Sequence, residues 1–283
     1  RIPMGRPTPS TCQKRLGSLG SSRHQKVRPE TYALDLAHRH TGVGFDQLLT
    51  IEPPTIRTAD FFYRIYNADG SESGQCGNGA RCVAKFIFDK QLSPKSELVL
   101  QTNTGQLTTQ RVSSQAIRVN MGKPQLDPAA IPFEPTPGEQ APYAASFQDG
   151  SRYAFGVANI GNPHGVLLVE STQALDVAGL ATEFRAQTLF EAGVNVGFMA
   201  LTSQTAITLR VSERGAGETL ACGSGACAAV AVGRAMNLLS ETVLVEMPGG
   251  AVTVTWPGLG KDLWLTGPAV RVFDGKIKIN DPS

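Results

Sequence analysis

The chain has 283 residues, 41% hydrophobic and 18% charged, enough apolar content for two cored domains and too much for a disordered segment. No apolar run approaches the ~20 residues that a membrane-spanning helix needs. The formal net charge of +2 comes from a basic start, where Arg1, Arg6, Lys14, Arg15, Arg23, Lys26 and Arg28 stand without an acid. From Glu30 onward the chain is net acidic, which leaves no case for a nucleic-acid-binding surface.

In chain order, the pattern from Pro29 to His40 predicts a helix with Gly42 near its end. Short β-like runs follow at Phe45–Ile51, Phe61–Tyr66, Leu98–Thr102, Leu107–Val112 and Ile117–Met121, with Asn103-Thr104-Gly105 as a hairpin connection. The proline-rich stretch from Pro124 to Pro142 lacks periodicity and reads as a crossing between domains. Strands resume at Tyr153–Ala158, Gly165–Val169, Val194–Leu201 and Ile207–Ser212. A hairpin then joins Val243–Met247 to Ala251–Trp256, and Leu263–Leu265 and Val270–Phe273 close the chain. Two helices interrupt this β background. One runs from about Asn78 to Asp89. The other runs from about Ser224 to Leu239, and its first three turns carry so little polarity that it must be buried nearly all round.

Five cysteines, none in a Cys-x-x-Cys pair, together with the lack of a secretory apolar segment, argue against a disulfide framework or zinc knuckle. A reducing compartment, the cytoplasm, is the expectation. Four of the cysteines occur as two pairs, Cys76/Cys82 and Cys222/Cys227, and the first of each pair falls in a repeat. Asp69-Gly70-Ser71-Glu72 precedes Gln75-Cys76-Gly77-Asn78-Gly79-Ala80, and Gly215-Ala216-Gly217-Glu218-Thr219 precedes Ala221-Cys222-Gly223-Ser224-Gly225-Ala226. An acidic turn followed by Cys-Gly-x-Gly-Ala at a helix start, present twice, implies duplication. The expected fold is α+β: two pseudo-symmetric domains facing each other, each a sheet wrapped around a central helix.

A cysteine at a helix N-terminus meets unpaired backbone N–H groups and the positive end of the helix dipole, both of which favour its thiolate. Flanking glycines let a ligand reach those N–H groups, which can cradle a carboxylate. Two such sites face to face place a sulfur on each side of one α-carbon. One thiolate can take the α-proton and the opposite thiol can protonate the other face, inverting the centre. Cys82 and Cys227, by contrast, read as small packing hydrophobes. No phosphate-loop lysine accompanies either glycine-rich turn, so a nucleotide site is not expected.

These motifs, with Gly44-Phe45-Asp46-Gln47, Tyr66-Asn67-Ala68-Asp69-Gly70-Ser71, Gly161-Asn162-Pro163-His164, Val194-Asn195-Val196-Gly197-Phe198 and the run from Ser212 to Ala226, closely resemble diaminopimelate epimerase from about Pro29 to Ile279. The resemblance implies interconversion of LL- and meso-2,6-diaminopimelate in lysine synthesis, without pyridoxal phosphate or metal, by a homodimer. It implies that Cys76 and Cys222 are the acid/base pair, supported by His164 and Glu213. Gly77, Asn78, Gly223 and Ser224 would cradle the reacting carboxylate, while Gln47, Asn67, Asn162, Asn195, Glu213 and Arg214 would contact substrate, most of them at its distal end. A fork from arginine suits the distal carboxylate. Taken singly, each asparagine reads as well as a turn residue, and His164 as a capping or packing residue.

The likeness divides the chain into an atypical leader (1–29, expected to be poorly ordered), an N-terminal domain (30–121 with 268–283) and a C-terminal domain (122–267). The family opens with a β-strand and a Gly-Leu-Gly-Asn-Asp-Phe turn whose Asn contacts substrate, and that segment is absent here. A transit peptide would precede the segment rather than replace it, so the leader reads as an altered or misassembled start. Loss of a strand would leave the first barrel open at an edge. Phe273 stands where some relatives carry Tyr near dimer contacts. Two alternatives remain at this stage: a racemase of another amino acid, or a homologue impaired by its altered start.

Overall fold

The computed structural model describes residues 29–74, 76–135, 138–187, 190 and 193–277. The leader up to residue 28, Gln75 of the first cysteine motif and residues 278–283 lie outside them, as does the expectation of a poorly ordered start. In chain order the elements are α1 (Pro29–Ala37), β1 (Gln47–Glu52), β2 (Phe61–Asn67), β3 (Glu72–Ser73), α2 (Gly77–Asp89), β4 (Glu97–Thr102), β5 (Gly105–Arg111) and β6 (Ala116–Asn120). They continue with β7 (Tyr143–Ser146), β8 (Arg152–Asn159), β9 (Pro163–Leu168), α3 (Val177–Ala186), β10 (Asn195–Ser203), β11 (Ala206–Glu213), β12 (Gly217–Thr219), α4 (Gly223–Ala235), β13 (Thr242–Met247), β14 (Gly250–Thr255) and β15 (Trp264–Pro268).

The strand order is palindromic. From one end it runs β1-β2-β4-β5-β6, meets β15, and returns as β15-β14-β13-β11-β10, with β9, β8 and β7 added beyond β10. The same steps occur on both sides: β2 pairs parallel with β4 as β11 does with β13, and β3 pairs with β2 as β12 does with β11. The halves join where β6 and β15 run antiparallel, from Trp264↔Asn120 to Pro268↔Ala116. This is the two-domain α+β architecture expected from the repeat. Even an ion pair is repeated. Arg64 reaches Glu72 at 3.2 Å, and at the matching positions Arg210 holds Glu218 through Nε and Nη2 at 2.7 and 2.9 Å.

Each half packs its sheet around its own helix. In the first, Ala80, Val83, Ala84 and Ile87 of α2 meet Leu49, Ile65, Leu98, Leu100 and Val119. In the second, α4 is buried from Gly225 to Gly233, as its apolar turns predict, among Val166, Leu209, Val243, Val254, Trp256 and Leu265. The outer face of β7–β10 carries an aromatic cluster of Phe133, Tyr143, Phe155, Phe184 and Phe190 under α3.

The stretch from Pro124 to Pro142 runs from β6 of the first half to β7 of the second, and Ile131 and Phe133 anchor it in the second half's core. One expectation needs correction. Val270–Phe273 is not a strand; Val270, Val272 and Phe273 are exposed, and none of the described strands pairs with the segment. Helix α3 and strands β3, β7 and β12 were not foreseen. Among the described residues β1 ends the sheet, where its counterpart β10 pairs onward to β9.

Gly156 on β8 lets α4 approach closely. A Cβ there would lie 2.6 Å from Val232 Cγ1 and 2.9 Å from Met236 Cε. Gly156→Ala is therefore expected to cost about 1–3 kcal/mol through overpacking, read as a lower urea midpoint at unchanged slope.

Candidate active site

Both cysteines are N-caps. Cys76 precedes α2 in an extended conformation (φ −149, ψ 113), and its Sγ accepts from Gly79 N at 3.4 Å. Cys222 precedes α4 in the same way (φ −126, ψ 111), its Sγ accepting from Gly225 N at 3.3 Å. A sulfur in the role usually taken by Ser or Asp thus satisfies an orphan N–H at each helix start. The two starts lie against one another. A Cβ on Gly77 would meet Leu265 Cδ2 at 3.7 Å, and one on Gly223 would meet the same atom at 3.1 Å and Asn78 Oδ1 at 3.4 Å. Asn78, from the first half, therefore sits against the opening glycine of the second half's helix. A side chain on either glycine would fill this seam.

The thiols differ in their surroundings. Cys76 is half-buried and Cys222 buried. Burial, and then Glu213, push the Cys222 thiol up to about 12 against the opposing pull of Ser224 and Gly225 N–H. The expectation that a helix start favours the thiolate fails at Cys222 because desolvation outweighs the cap. Cys222 Sγ lies 3.5 Å from Ser224 Oγ, and the neighbouring Glu213 carboxylate disfavours its ionisation. Glu213 in turn accepts from Thr219 Oγ1 at 2.6 Å. Beside Cys76 stands Tyr63, a buried phenol raised well above its ordinary range by burial and by Cys76 itself. Cys227 is a buried free thiol, as expected of a packing residue. Cys82 is disulfide-bonded, so the packing-thiol reading does not hold there.

The remaining expected residues form small clusters at equivalent places in the two halves. Gln47 opens β1 and Asn67 ends β2, directly paired in register. Gln47 Nε2 donates to Asn67 Oδ1 at 3.0 Å, and Asn67 Nδ2 donates to Ser71 Oγ at 3.0 Å. Asn67 is also a turn residue, its carbonyl accepting from Gly70 N. In the second half, Asn195 opens β10 and Glu213 ends β11. Asn195 accepts from Arg214 N at 2.8 Å and donates to Pro163 O at 3.4 Å. Arg214 is exposed, its Cδ lying 3.1 Å from where a Cβ on Gly193 would be. His164 is the strand partner of Asn195, and its Nε2 meets Asn162 Oδ1 at 3.0 Å. Sequence reasoning missed Thr219, Tyr63 and Arg81; only their places in the repeat distinguish them from ordinary strand and helix residues.

His164 is fully buried, and desolvation pushes it down from 6.5 to about 3. It is therefore a neutral imidazole near neutrality, with Nε2–H donating to Asn162 and Nδ1 a buried acceptor without a hydrogen-bond partner. The sign follows from linkage: the unfolded chain takes up this proton first, so the group's contribution is complete above 6.5 and is lost as pH falls toward 3. We expect stability to drop through that window with a slope of up to about 1.4 kcal/mol per pH unit from this group. His164→Asn should flatten the drop in urea titrations.

Among the described residues, no group of three or more His, Cys, Asp or Glu is placed to hold a metal ion, and no helix is long and apolar enough to cross a membrane. The diaminopimelate epimerase family matches residues 22–126 and 156–272, covering both cysteine motifs. The chain belongs to the diaminopimelate epimerase family. Its fold recurs in a hydroxyproline epimerase from Agrobacterium vitis with bound trans-4-OH-L-proline, at 15% identity and TM-score 0.61 over 85% of this chain and 77% of that one. It recurs in a PhzF-family phenazine biosynthesis protein from Bacillus anthracis, at 14% identity and TM-score 0.63 over 93% of each chain. A methylitaconate-delta-isomerase gives 13% identity and TM-score 0.61 over 90% of each chain. At these identities the likeness to the solved structures is one of fold. Membership of the diaminopimelate epimerase family places the chain in an epimerase and isomerase class.

Proposed function

We propose that the protein interconverts LL- and meso-2,6-diaminopimelate by proton transfer between two cysteines at one α-carbon. The observation that carries this reading is the pair of cysteine-capped helices meeting through Asn78 and Gly223. In this reading the substrate α-carboxylate lies between the helix starts. A thiolate on one side takes the α-proton, leaving the C–H electron pair delocalised into the carboxylate. The backbone N–H groups at Gly77, Asn78, Gly223 and Ser224 stabilise the charge that develops there. The thiol on the other side gives its proton to the opposite face and becomes the thiolate, so atoms and charge balance without a cofactor. Gln47, Asn67, Asn162, Asn195 and Arg214 hold the distal amino-acid end, Arg214 supplying the cation for its carboxylate. We further propose a cytoplasmic homodimer, a reading supported by the exposed apolar run of Val270, Val272, Phe273 and Ile277.

The test is incubation of the purified chain with LL-diaminopimelate in deuterium oxide without additions. Deuterium at the α-carbon together with meso product is the expected result. Turnover of proline with diaminopimelate inert would favour a racemase of another amino acid, and no exchange with either would indicate an impaired homologue. Sedimentation at micromolar concentration reads the dimer, and a monomer would count against it.

A further inference from the structure

The two halves match position for position, at a constant offset in numbering, through the ion pairs, the caps and the helices. One matched pair departs in charge where it bears on the thiols. Arg81, on α2, occupies the position that Cys227 holds on α4. Arg81 is a buried cation, 4% exposed, on a helix face where its counterpart is a neutral thiol. Its Nη2 donates to Asn78 Oδ1 at 2.8 Å and its Nε to Pro268 O, at the end of β15, at 3.4 Å, while Nη1 is buried with no hydrogen-bond partner. A Cβ on Gly267 would lie 3.1 Å from Nε, so only a glycine leaves room for the guanidinium at the seam. No carboxylate lies within ion-pair reach of it among the described residues. The ionisable groups that face it are Cys76 on its own helix and Cys227 across the seam.

A buried guanidinium without a carboxylate is unfavourable unless a negative charge forms beside it, and an arginine does not escape by losing its proton. Among the described residues, this cation and the neutral phenol of Tyr63 face Cys76. Around Cys222 they are the Glu213 carboxylate and the neutral Cys227. The matched site thus carries a cation on one side and an anion on the other.

We propose that Arg81 is the positioning residue that makes the two thiols inequivalent, acting as counter-charge to a Cys76 thiolate at rest while its fork holds the Asn78 amide against Gly223. Cys222 then rests as the thiol. This rests on the two-thiol reading above and adds the resting state: the isomer whose α-hydrogen faces Cys76 meets a thiolate already formed, while the other isomer needs the proton moved from Cys222 to Cys76 first. Arg81 touches no reacting atom.

The test reads Cys76 directly, without substrate. Wild-type, Arg81→Gln and Arg81→Lys chains are alkylated with iodoacetamide across pH 5–10, and the Cys76 peptide is quantified by mass spectrometry. Loss of the charge in Arg81→Gln is expected to raise the midpoint of Cys76 alkylation by about one pH unit or more. Arg81→Lys keeps the charge and should hold the midpoint near wild type. With its fork lost, it should raise KM for diaminopimelate about threefold to tenfold. An unmoved midpoint in folded Arg81→Gln overturns the counter-charge. So does a shift in Arg81→Lys as large as the glutamine variant's. Should Arg81→Gln not fold, the lysine variant carries the test, and an unchanged KM in it overturns the positioning role. A failed substrate reading remains distinguishable, because alkylation responds to Arg81 whether or not diaminopimelate turns over.

Discussion

Cys76→Ala and Cys222→Ala each abolish inversion of diaminopimelate, with turnover falling at least about 10³-fold, but they do not silence the same chemistry. Each sulfur caps a different helix start, and each addresses one face of the α-carbon. With Cys222 gone, Cys76 can still remove and return a proton on its own face. One stereoisomer therefore retains slow α-deuterium exchange with its configuration kept, and in the Cys76 variant the other isomer does. Proton NMR in deuterium oxide with each pure isomer reads both quantities. Inversion at wild-type rate in either variant would sink the two-thiol mechanism. The alanine replacements are structurally mild, because Gly79 N and Gly225 N each lose only one weak sulfur acceptor, costing on the order of 1 kcal/mol.

The second large effect is expected at Glu213. Its carboxylate raises Cys222, and the Thr219 hydroxyl holds it there. Glu213→Gln removes the charge and leaves the shape, so the Cys222 value falls below about 12 and the alkaline limb of the kcat profile moves to lower pH. A thiol that ionises too readily is a poorer stock of protons for the acid step, and kcat should fall about 10²–10³-fold. Thr219→Val leaves the charge and frees its orientation, so the same changes should appear in smaller measure. A profile and kcat identical to wild type in Glu213→Gln would remove Glu213 from the chemistry.

Much of this was legible from residue order. Cys-Gly-x-Gly-Ala occurs twice, so both helix starts could be placed, and the apolar turns from Gly225 to Gly233 already required a sheath of strands. Strand edges such as Gly105 and Gly250 followed from turn chemistry. Helix α3 escaped because Val177-Ala178-Gly179-Leu180-Ala181-Thr182 mixes β-branched and glycine residues without a clear apolar stripe; tertiary packing of Val177, Ala181 and Phe184 decides it. The false strand at Val270–Phe273 shows the converse, local alternation that joins none of the described strands. Arg81 could not be told from a solvent-facing helix arginine by any local pattern, since its burial is created by β15 and α4, far away in the chain. The protonation of Cys222 was misjudged for a related reason. A helix dipole is visible in sequence, whereas desolvation belongs to the assembled core.

Leu265 gives the molecule a shared wall. One methyl carbon of this residue bounds the opening glycines of both helices, and its strand is hydrogen-bonded to both halves. The duplicated halves can therefore diverge at Gln47 and Asn195, or at Asn67 and Glu213, each at its own pace. At position 265 they cannot, since any change there is felt in both cradles at once. Substrate selectivity is free to drift along the outer clusters, while the width of the slot that admits the reacting carbon is inherited by both halves as a single trait.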